Sequence, residues 1–168
     1  MAKEGREFKC GIFVGLMLTP KGPRVLEYNA RFGDPEAQVV LCRMENDIMD
    51  VVDACIDGTL DKVDLKFEDN AAVCVVLASD GYPVSYKKGF PITGLENFKG
   101  KDDYYCFHAG TKFDAEGRVV TNGGRVLGIT AKGKDLKEAR KKAYEATEWV
   151  SFENKYMRHD IGKAIDEA

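Results

Sequence analysis

A run of nine uncharged residues, Ala71–Ser79, constrains the fold more than any other stretch of this sequence. It reads AAVCVVLAS and is almost entirely apolar. A strand with one solvated face alternates apolar and polar residues, so a continuous apolar strand is typical of one covered on both faces. A chain of 168 residues is long enough to bury such a strand. We therefore expect Ala71–Ser79 to be a core strand.

The sequence after this strand predicts more sheet and then one helix. Three strand-like segments, Tyr104–Lys112, Arg118–Thr121 and Arg125–Ala131, suggest a β-meander, with a hairpin turn at Asn122–Gly124. A helix is predicted from about Asp135, because apolar residues then recur at helical spacing. These residues are Leu136, Ala139, Ala143, Ala146 and Val150.

The sequence before the core strand predicts a hairpin followed by helices. Phe8–Thr19 and Pro23–Arg31 are strand-like and flank a Pro-Lys-Gly turn, so we expect them to pair antiparallel. Asp34 is predicted to be the N-cap of a helix that has Pro35 at its first position and ends near Met44.

A second helix is predicted between a cap at Asn46 or Asp47 and a stop at Gly58. The charged segment 60–70 has no clear period, and we place a boundary there, giving domains 1–60 and 61–168. The expected fold class is α+β: a β-hairpin with helices, followed by a small antiparallel β-rich domain with a packed helix.

Composition narrows the classes of partner and the compartment. Charged residues make up 32% and hydrophobic ones 44%, with a formal net charge of -3, so neither nucleic acid nor a membrane is expected as a partner. No apolar run approaches a bilayer-spanning length, and no signal-peptide core begins the sequence. Five cysteines without a C-x-x-C pair predict buried free thiols in a reducing cytoplasm.

The second strand carries three polar residues at alternate positions. Glu27, Asn29 and Arg31 should share one face, since strand side chains alternate. A carboxylate and an amide oxygen that converge suit Mg²⁺ or Mn²⁺, and an arginine beside them suits a phosphoryl oxygen. Spacing alone favours a solvated face with an Arg–Glu contact over a metal site.

The surrounding string adds a resemblance to a known family. Residues 24–38, RVLEYNARFGDPEAQ, closely resemble the signature of the phosphoribosylamine–glycine ligases, also called glycinamide ribonucleotide synthetases. These are ATP-grasp ligases of purine biosynthesis. The similarity continues through four further segments: 15–19 (GLMLT), 78–83 (ASDGYP), 108–111 (HAGT) and 122–128 (NGGRVLG).

This resemblance implies a mechanism and a set of site residues. Glu27 and Asn29 would hold the Mg²⁺ or Mn²⁺ that bridges the phosphates of ATP, and Arg31 would face the transferred phosphoryl group as the catalytic residue. In the family, ATP phosphorylates glycine, and the amine of 5-phosphoribosylamine attacks the acyl phosphate. The products are glycinamide ribonucleotide, ADP and phosphate.

Three further residues are candidates for substrate binding. Asp34 and Glu36 suit a helix start, and their place beside the metal strand also suits a contact with the amino group of glycine. Arg125 follows the Asn122–Gly124 segment; turn chemistry explains the two glycines, while the resemblance suggests that the loop closes on an anionic substrate.

Much of a complete ligase is not matched by this sequence. The family's N-terminal domain and glycine-rich ATP lid precede the matched region, and residues contacting the nucleotide cannot be assigned. We therefore expect a C-terminal part that needs the N-terminal domains as partner and has no ligase activity alone. Two alternatives stay open: part of another ATP-grasp ligase or carboxylase, and a non-catalytic binding module that keeps the fold.

Overall fold

The computed structural model describes residues 2–9 and 11–167, which form two compact units divided between Glu68 and Asp69. Both units combine helices with antiparallel strands, so the predicted α+β class is confirmed. None of the helices in this described part combines the length and apolar character that crossing a membrane requires. The assignment of domains to 1–60 and 61–168 stays a prediction.

The first unit begins with the predicted hairpin. Strand β1 (Phe13–Thr19) pairs antiparallel with β2 (Gly22–Asn29). The register shifts between Gly15, which faces Glu27, and Leu16, which faces Val25. One residue of β2, Leu26, is therefore extra, as in a β-bulge. Every residue of both strands is exposed or half-exposed.

The first helix of this unit is shorter than predicted. Helix α1 (Glu36–Val40) continues as a 3₁₀ turn, Leu41–Arg43. Pro35, after a cis peptide bond, takes the N-cap position predicted for Asp34. The prediction of Asp34 as the N-cap is therefore wrong. Its carboxylate instead accepts a hydrogen bond from Gln38 Nε2 at 2.9 Å.

The second predicted helix is confirmed as α2 (Ile48–Asp57). The Asp47 carboxylate accepts a hydrogen bond from Met49 N at 2.8 Å, and Gly58 ends the helix with φ +70°. This is the left-handed conformation that glycine adopts without a steric penalty.

The charged segment after α2 belongs to the first unit. The side-chain amide of Asn46 hydrogen-bonds to this segment through both of its polar atoms. Nδ2 donates to Asp64 O at 3.1 Å, and Oδ1 accepts from Lys66 N at 2.6 Å. The backbone N–H of Glu68 donates to Arg43 O at 2.8 Å. These hydrogen bonds between distant residues have no signature in the charged sequence itself.

Six strands lie in the described part of the second unit, residues 69–167. They are β3 (Ala71–Ser79), β4 (Tyr104–His108), β5 (Thr111–Phe113), β6 (Val119–Thr121), β7 (Arg125–Gly133) and β8 (Lys155–Tyr156). Four form one antiparallel sheet in the order β4-β7-β3-β8, and β5 pairs with β6 separately. Residues on both sides of β3 are buried, among them Cys74 and Val75, which confirms the prediction for this strand.

The predicted meander is wrong in its pairing, because β7 pairs with β4 and β3 rather than with β6. The segment Asn122–Gly124 thus links two sheets and is not a hairpin turn. Its backbone crosses Gly110: a Cβ on Gly110 would lie 2.5 Å from Gly123 Cα. Asn122 N donates to Gly110 O at 2.7 Å. The glycines are needed here for close backbone approach.

The core of the second unit lies between its sheet and helix α3 (Leu136–Thr147). The helix begins where predicted, and the Asp135 carboxylate caps it by accepting a hydrogen bond from Glu138 N at 2.8 Å. The helix packs through fully buried alanines, and a Cβ on Gly133 would lie 2.5 Å from Ala139 N. Small residues thus let helix and sheet approach closely. The fully buried residues that meet here include Val75, Leu127, Ile129, Ala139, Ala143 and Ala146.

Four of the predicted free thiols lie in the described part, and Cys10 lies outside it. Cys74 is buried, whereas Cys42, Cys55 and Cys106 are half-buried. Burial raises the pKa of the Cys106 thiol to about 11, which keeps it protonated at neutral pH.

Candidate functional site

The polar residues of β2 do meet on one face of the hairpin. Asn29 Nδ2 donates a hydrogen bond to Glu27 Oε1 at 3.1 Å. Glu27 pairs with Gly15 of β1, and a Cβ on Gly15 would lie 3.1 Å from Glu27 Cγ. The glycine therefore leaves room for the Glu27 side chain to lie across the neighbouring strand.

The donor set of this pair suits a small divalent cation. The observed hydrogen bond joins the Asn29 amide nitrogen to a Glu27 oxygen, so Asn29 would ligate a cation through its other polar atom, Oδ1. Two protein oxygens also match the habit of Mg²⁺ to take its other ligands from phosphate and water. Among residues 2–9 and 11–167, no group of three or more His, Cys, Asp and Glu side chains is placed to hold a metal.

Arg31 lies beyond the end of β2 rather than on the strand. Its Nη1 donates to Phe32 O at 2.9 Å, so period-two alternation does not place this side chain. Arg31 instead shares a cleft of about 170 Å³ with Glu36. The cleft is lined by Gly11, Ile12, Phe13, Arg31, Phe32, Gly33, Glu36 and Val40. The structure thus brings a predicted catalytic and a predicted substrate-binding residue together.

The two candidate acids after the hairpin have different surroundings. The Glu36 carboxylate folds back over Gly33, in the space that a Cβ on that residue would fill. Asp34 is exposed, and its Oδ1 accepts a hydrogen bond from Gln38 Nε2. Glu36 therefore depends on a buried glycine for its position, and Asp34 is held by the next helical turn.

A second, more apolar cleft lies beside Asn29. Its volume is about 350 Å³, and Phe8, Ile12, Tyr28, Asn29 and Ala30 line it. No sequence pattern predicts this cleft, because it forms where the segment before β1 passes the end of β2. The contact of Gly15 with Glu27 was not predicted either, because it depends on the strand register. Without the bulge in β2, Gly15 would face Leu26 instead of Glu27.

Arg125 lies in the second unit, exposed at the start of β7. The loop before it is held firmly: Ser79 N donates to Gly124 O at 2.8 Å and Ser79 Oγ to Gly123 O at 3.0 Å. The ring of Tyr82 occupies the space where a Cβ on Gly124 would be. Arg125 thus projects from a fixed base.

Comparison with known families matches most of the chain. The model of the "Phosphoribosylglycinamide synthetase, C domain" matches residues 72–164, and that of the "Phosphoribosylglycinamide synthetase, ATP-grasp (A) domain" matches residues 1–37. The second match contains the whole hairpin and every candidate site residue of the first unit.

Several relatives are phosphoribosylamine–glycine ligases. The chain is 50% identical over 161 residues to the one from Caldanaerobacter subterraneus subsp. tengcongensis, covering 96% of this chain and 38% of that protein. It is 48% identical over 165 residues to the chloroplastic one from Arabidopsis thaliana, covering 96% and 31%.

A solved structure gives the same relation. The crystal structure of the phosphoribosylamine–glycine ligase from Thermotoga maritima matches with a TM-score of 0.71 and 39% identity, covering 89% of this chain and 36% of that one. The chain therefore spans less than two fifths of the relatives it matches.

Proposed function

Since this chain belongs to the phosphoribosylglycinamide synthetase family, we propose that it acts as the C-terminal part of an ATP-dependent carboxylate–amine ligase. The complete enzyme would join glycine to 5-phosphoribosylamine, giving glycinamide ribonucleotide, ADP and phosphate, in the cytoplasm. The family's ATP-grasp domain implies the use of ATP. The chain alone would supply only part of the active site and would not catalyse the ligase reaction.

One observation carries this proposal: the hydrogen-bonded Glu27–Asn29 pair lies on an open strand face within the segment matched by the ATP-grasp domain. Glu27 and Asn29 would together hold Mg²⁺ or Mn²⁺. When bound, the ion would neutralise phosphate charge and orient the transferred group.

The remaining residues would bind the two anions that must meet, the carboxylate of glycine and the phosphates of ATP. A carboxylate is a poor electrophile, and its approach to ATP crowds negative charge. The Arg31 guanidinium would donate to the transferred phosphoryl group and stabilise charge that develops on its oxygens. Glu36, which shares the Arg31 cleft, and Asp34 would accept hydrogen bonds from the glycine ammonium group. Arg125 would bind an anionic substrate.

The test is a complete ligase in which this chain supplies the C-terminal part. We expect Glu27→Ala to lower kcat by orders of magnitude and to weaken the affinity for Mn²⁺ in the presence of a non-hydrolysable ATP analogue, measured by electron paramagnetic resonance. The physical reason is the loss of the only charged ligand in the pair.

The matched control is Glu153→Ala, which removes an exposed carboxylate from the second unit. It should change neither kcat nor Mn²⁺ affinity. Near-normal turnover in the Glu27→Ala enzyme would rule out the proposed metal site, and product formed by the isolated 168-residue chain would rule out its dependence on further domains.

A further inference from the structure

Three of the segments that resemble the ligase family meet at the start of β7. They are residues 78–83, 108–111 and 122–128. Ser79 N donates a hydrogen bond to Gly124 O at 2.8 Å, and Ser79 Oγ donates to Gly123 O at 3.0 Å. Gly110 N donates to Arg125 O at 2.8 Å. Residues from two distant segments therefore hold the backbone on both sides of Arg125.

These hydrogen bonds fix the direction in which the Arg125 side chain leaves the backbone. A peptide group is planar and trans, so holding its carbonyl also holds the N–H of the following residue. Ser79 holds the peptide group before the Arg125 Cα atom, and Gly110 holds the one after it. Glycine has the greatest backbone freedom of all residues, so the pair Gly123–Gly124 would otherwise leave the arginine poorly placed. The segment therefore needs contacts that restrict its glycines.

Tyr82 supplies such a contact through its ring. The ring atom Cδ2 lies in the space that a Cβ on Gly124 would fill, so the ring packs directly on this glycine. Tyr82 N donates to Ser79 O at 3.1 Å, and the ring meets that of Tyr86 edge-on, with 6.0 Å between centroids. Tyr82 is 42% exposed. Its packing therefore restrains the glycine pair more than it fills a core.

We propose that Tyr82 is a positioning residue of the ligase: its ring holds the Gly123–Gly124 segment, and this keeps the Arg125 guanidinium directed at an anionic substrate. The inference rests on the proposed function, in which Arg125 binds that substrate. Only the ring of Tyr82 is required, and its hydroxyl does not donate to the substrate. The arrangement sets the affinity for the substrate rather than the rate of the chemical step.

The phosphate group of 5-phosphoribosylamine is the anion that Arg125 suits best. In the proposed function the metal pair and Arg31 already bind the phosphates of ATP. A phosphate monoester carries about two negative charges at neutral pH and accepts two parallel hydrogen bonds from a guanidinium. An arginine on a fixed backbone makes both bonds at a smaller entropic cost than a mobile one.

The experiment uses a complete ligase in which this chain supplies the C-terminal part. Tyr82→Ala should raise the KM for 5-phosphoribosylamine about fivefold, while kcat and the KM for glycine stay within about twofold of the wild type. Tyr82→Phe keeps the ring and should restore the wild-type KM. Val84→Ala is the matched control, since Val84 lies in the same loop and is 92% exposed; it should change none of these constants.

A double-mutant cycle shows whether Tyr82 acts through Arg125. Arg125→Met alone should raise the KM for 5-phosphoribosylamine about tenfold, because charge-assisted hydrogen bonds to phosphate are lost. Adding Tyr82→Ala should then raise it no further, because the arginine to be positioned is gone. In the isolated 168-residue chain, hydrogen exchange at the Ser79 amide, which donates to Gly124 O, should quicken about fivefold in Tyr82→Ala and stay unchanged in Tyr82→Phe.

The outcomes separate positioning from the other roles of a tyrosine. An equal rise in KM with and without Arg125 would overturn the inference. So would a Tyr82→Phe enzyme as impaired as Tyr82→Ala, since the hydroxyl would then bind the substrate. If Tyr82→Ala does not fold, Tyr82→Leu takes its place, and loss of folding in both would show that Tyr82 is a core residue instead.

Failure of the proposed function has a different signature. The wild-type complete enzyme would then form no glycinamide ribonucleotide. If that enzyme is active but Arg125→Met leaves the KM for 5-phosphoribosylamine unchanged, the role of Arg125 is wrong, and the positioning role of Tyr82 is wrong with it.

Discussion

The strands of the two units differ in how far their residues are buried. In strands β1 and β2 no residue is buried, whereas eight of the nine residues of β7 are buried. Leu and Val recur in the hairpin, as they do in the central sheet. Apolar composition therefore does not decide whether a strand is buried in this chain; the presence of a covering layer does.

The two units also differ in what they contain: a closed core in the second, and the candidate metal pair in the first. The second unit has its own covering layer in α3 and a set of fully buried side chains. The first unit holds the candidate metal pair and the Arg31 cleft, and a side chain that must meet ATP has to stay accessible. We therefore expect the second unit to be the more stable of the two.

The largest expected effect on stability tests the closed core. Leu127→Ala removes a fully buried side chain from β7, and we expect a loss of about 2–5 kcal/mol in the free energy of unfolding of the second unit. Urea unfolding followed by the fluorescence of Trp149, the sole tryptophan, measures this unit, because Trp149 packs on Tyr104 at 4.8 Å between ring centroids. A loss below about 1 kcal/mol would show that the core is looser than its burial suggests.

A smaller effect compares one cap in each unit. Asp47 and Asp135 each accept a backbone hydrogen bond at 2.8 Å at the start of a helix. Replacing either by alanine should cost about 1 kcal/mol, since a helix N–H loses its partner. Hydrogen exchange at Met49 and Glu138 measures the two losses separately. If Asp47→Ala slows exchange or leaves it unchanged, α2 does not depend on its cap.

The smallest effect tests the open hairpin. Leu18→Ser changes a side chain that is 80% exposed, so in the isolated chain the free energy of unfolding should move by less than about 0.5 kcal/mol. Thermal unfolding of the first unit, followed by hydrogen exchange of β1 and α2, measures it. A cost comparable to that of Leu127→Ala would mean that the hairpin is already covered in the isolated chain, and the contrast between the units would fail.

Local signals in the sequence predicted the elements well. The nine-residue apolar run predicted β3 with its bounds, Ala71–Ser79; a capping residue predicted the start of α2, and helical periodicity that of α3. These features succeed because the information is carried by neighbouring residues: periodicity, an aspartate before a helix, a glycine after it. The resemblance around RFGDPE likewise identified the family that the comparisons confirm.

Long-range pairing was predicted poorly. Asn122–Gly124 has the composition of a hairpin turn, yet it crosses Gly110 and connects separate sheets. Asp34-Pro35-Glu36 has the composition of a capped helix start, yet the cap position falls on Pro35. In both places the observed backbone differs from the one that the local composition favours.

The sequence by itself determined which residues could do the chemistry: an acid and an amide two positions apart on a strand, with an arginine close behind. Only the tertiary structure decided their geometry. A bulge in β2 sets Glu27 opposite Gly15, and the end of the strand at Asn29 places Arg31 in a cleft with Glu36. The physical reason is that side-chain identity and period are local properties, whereas register and burial depend on which backbone lies alongside.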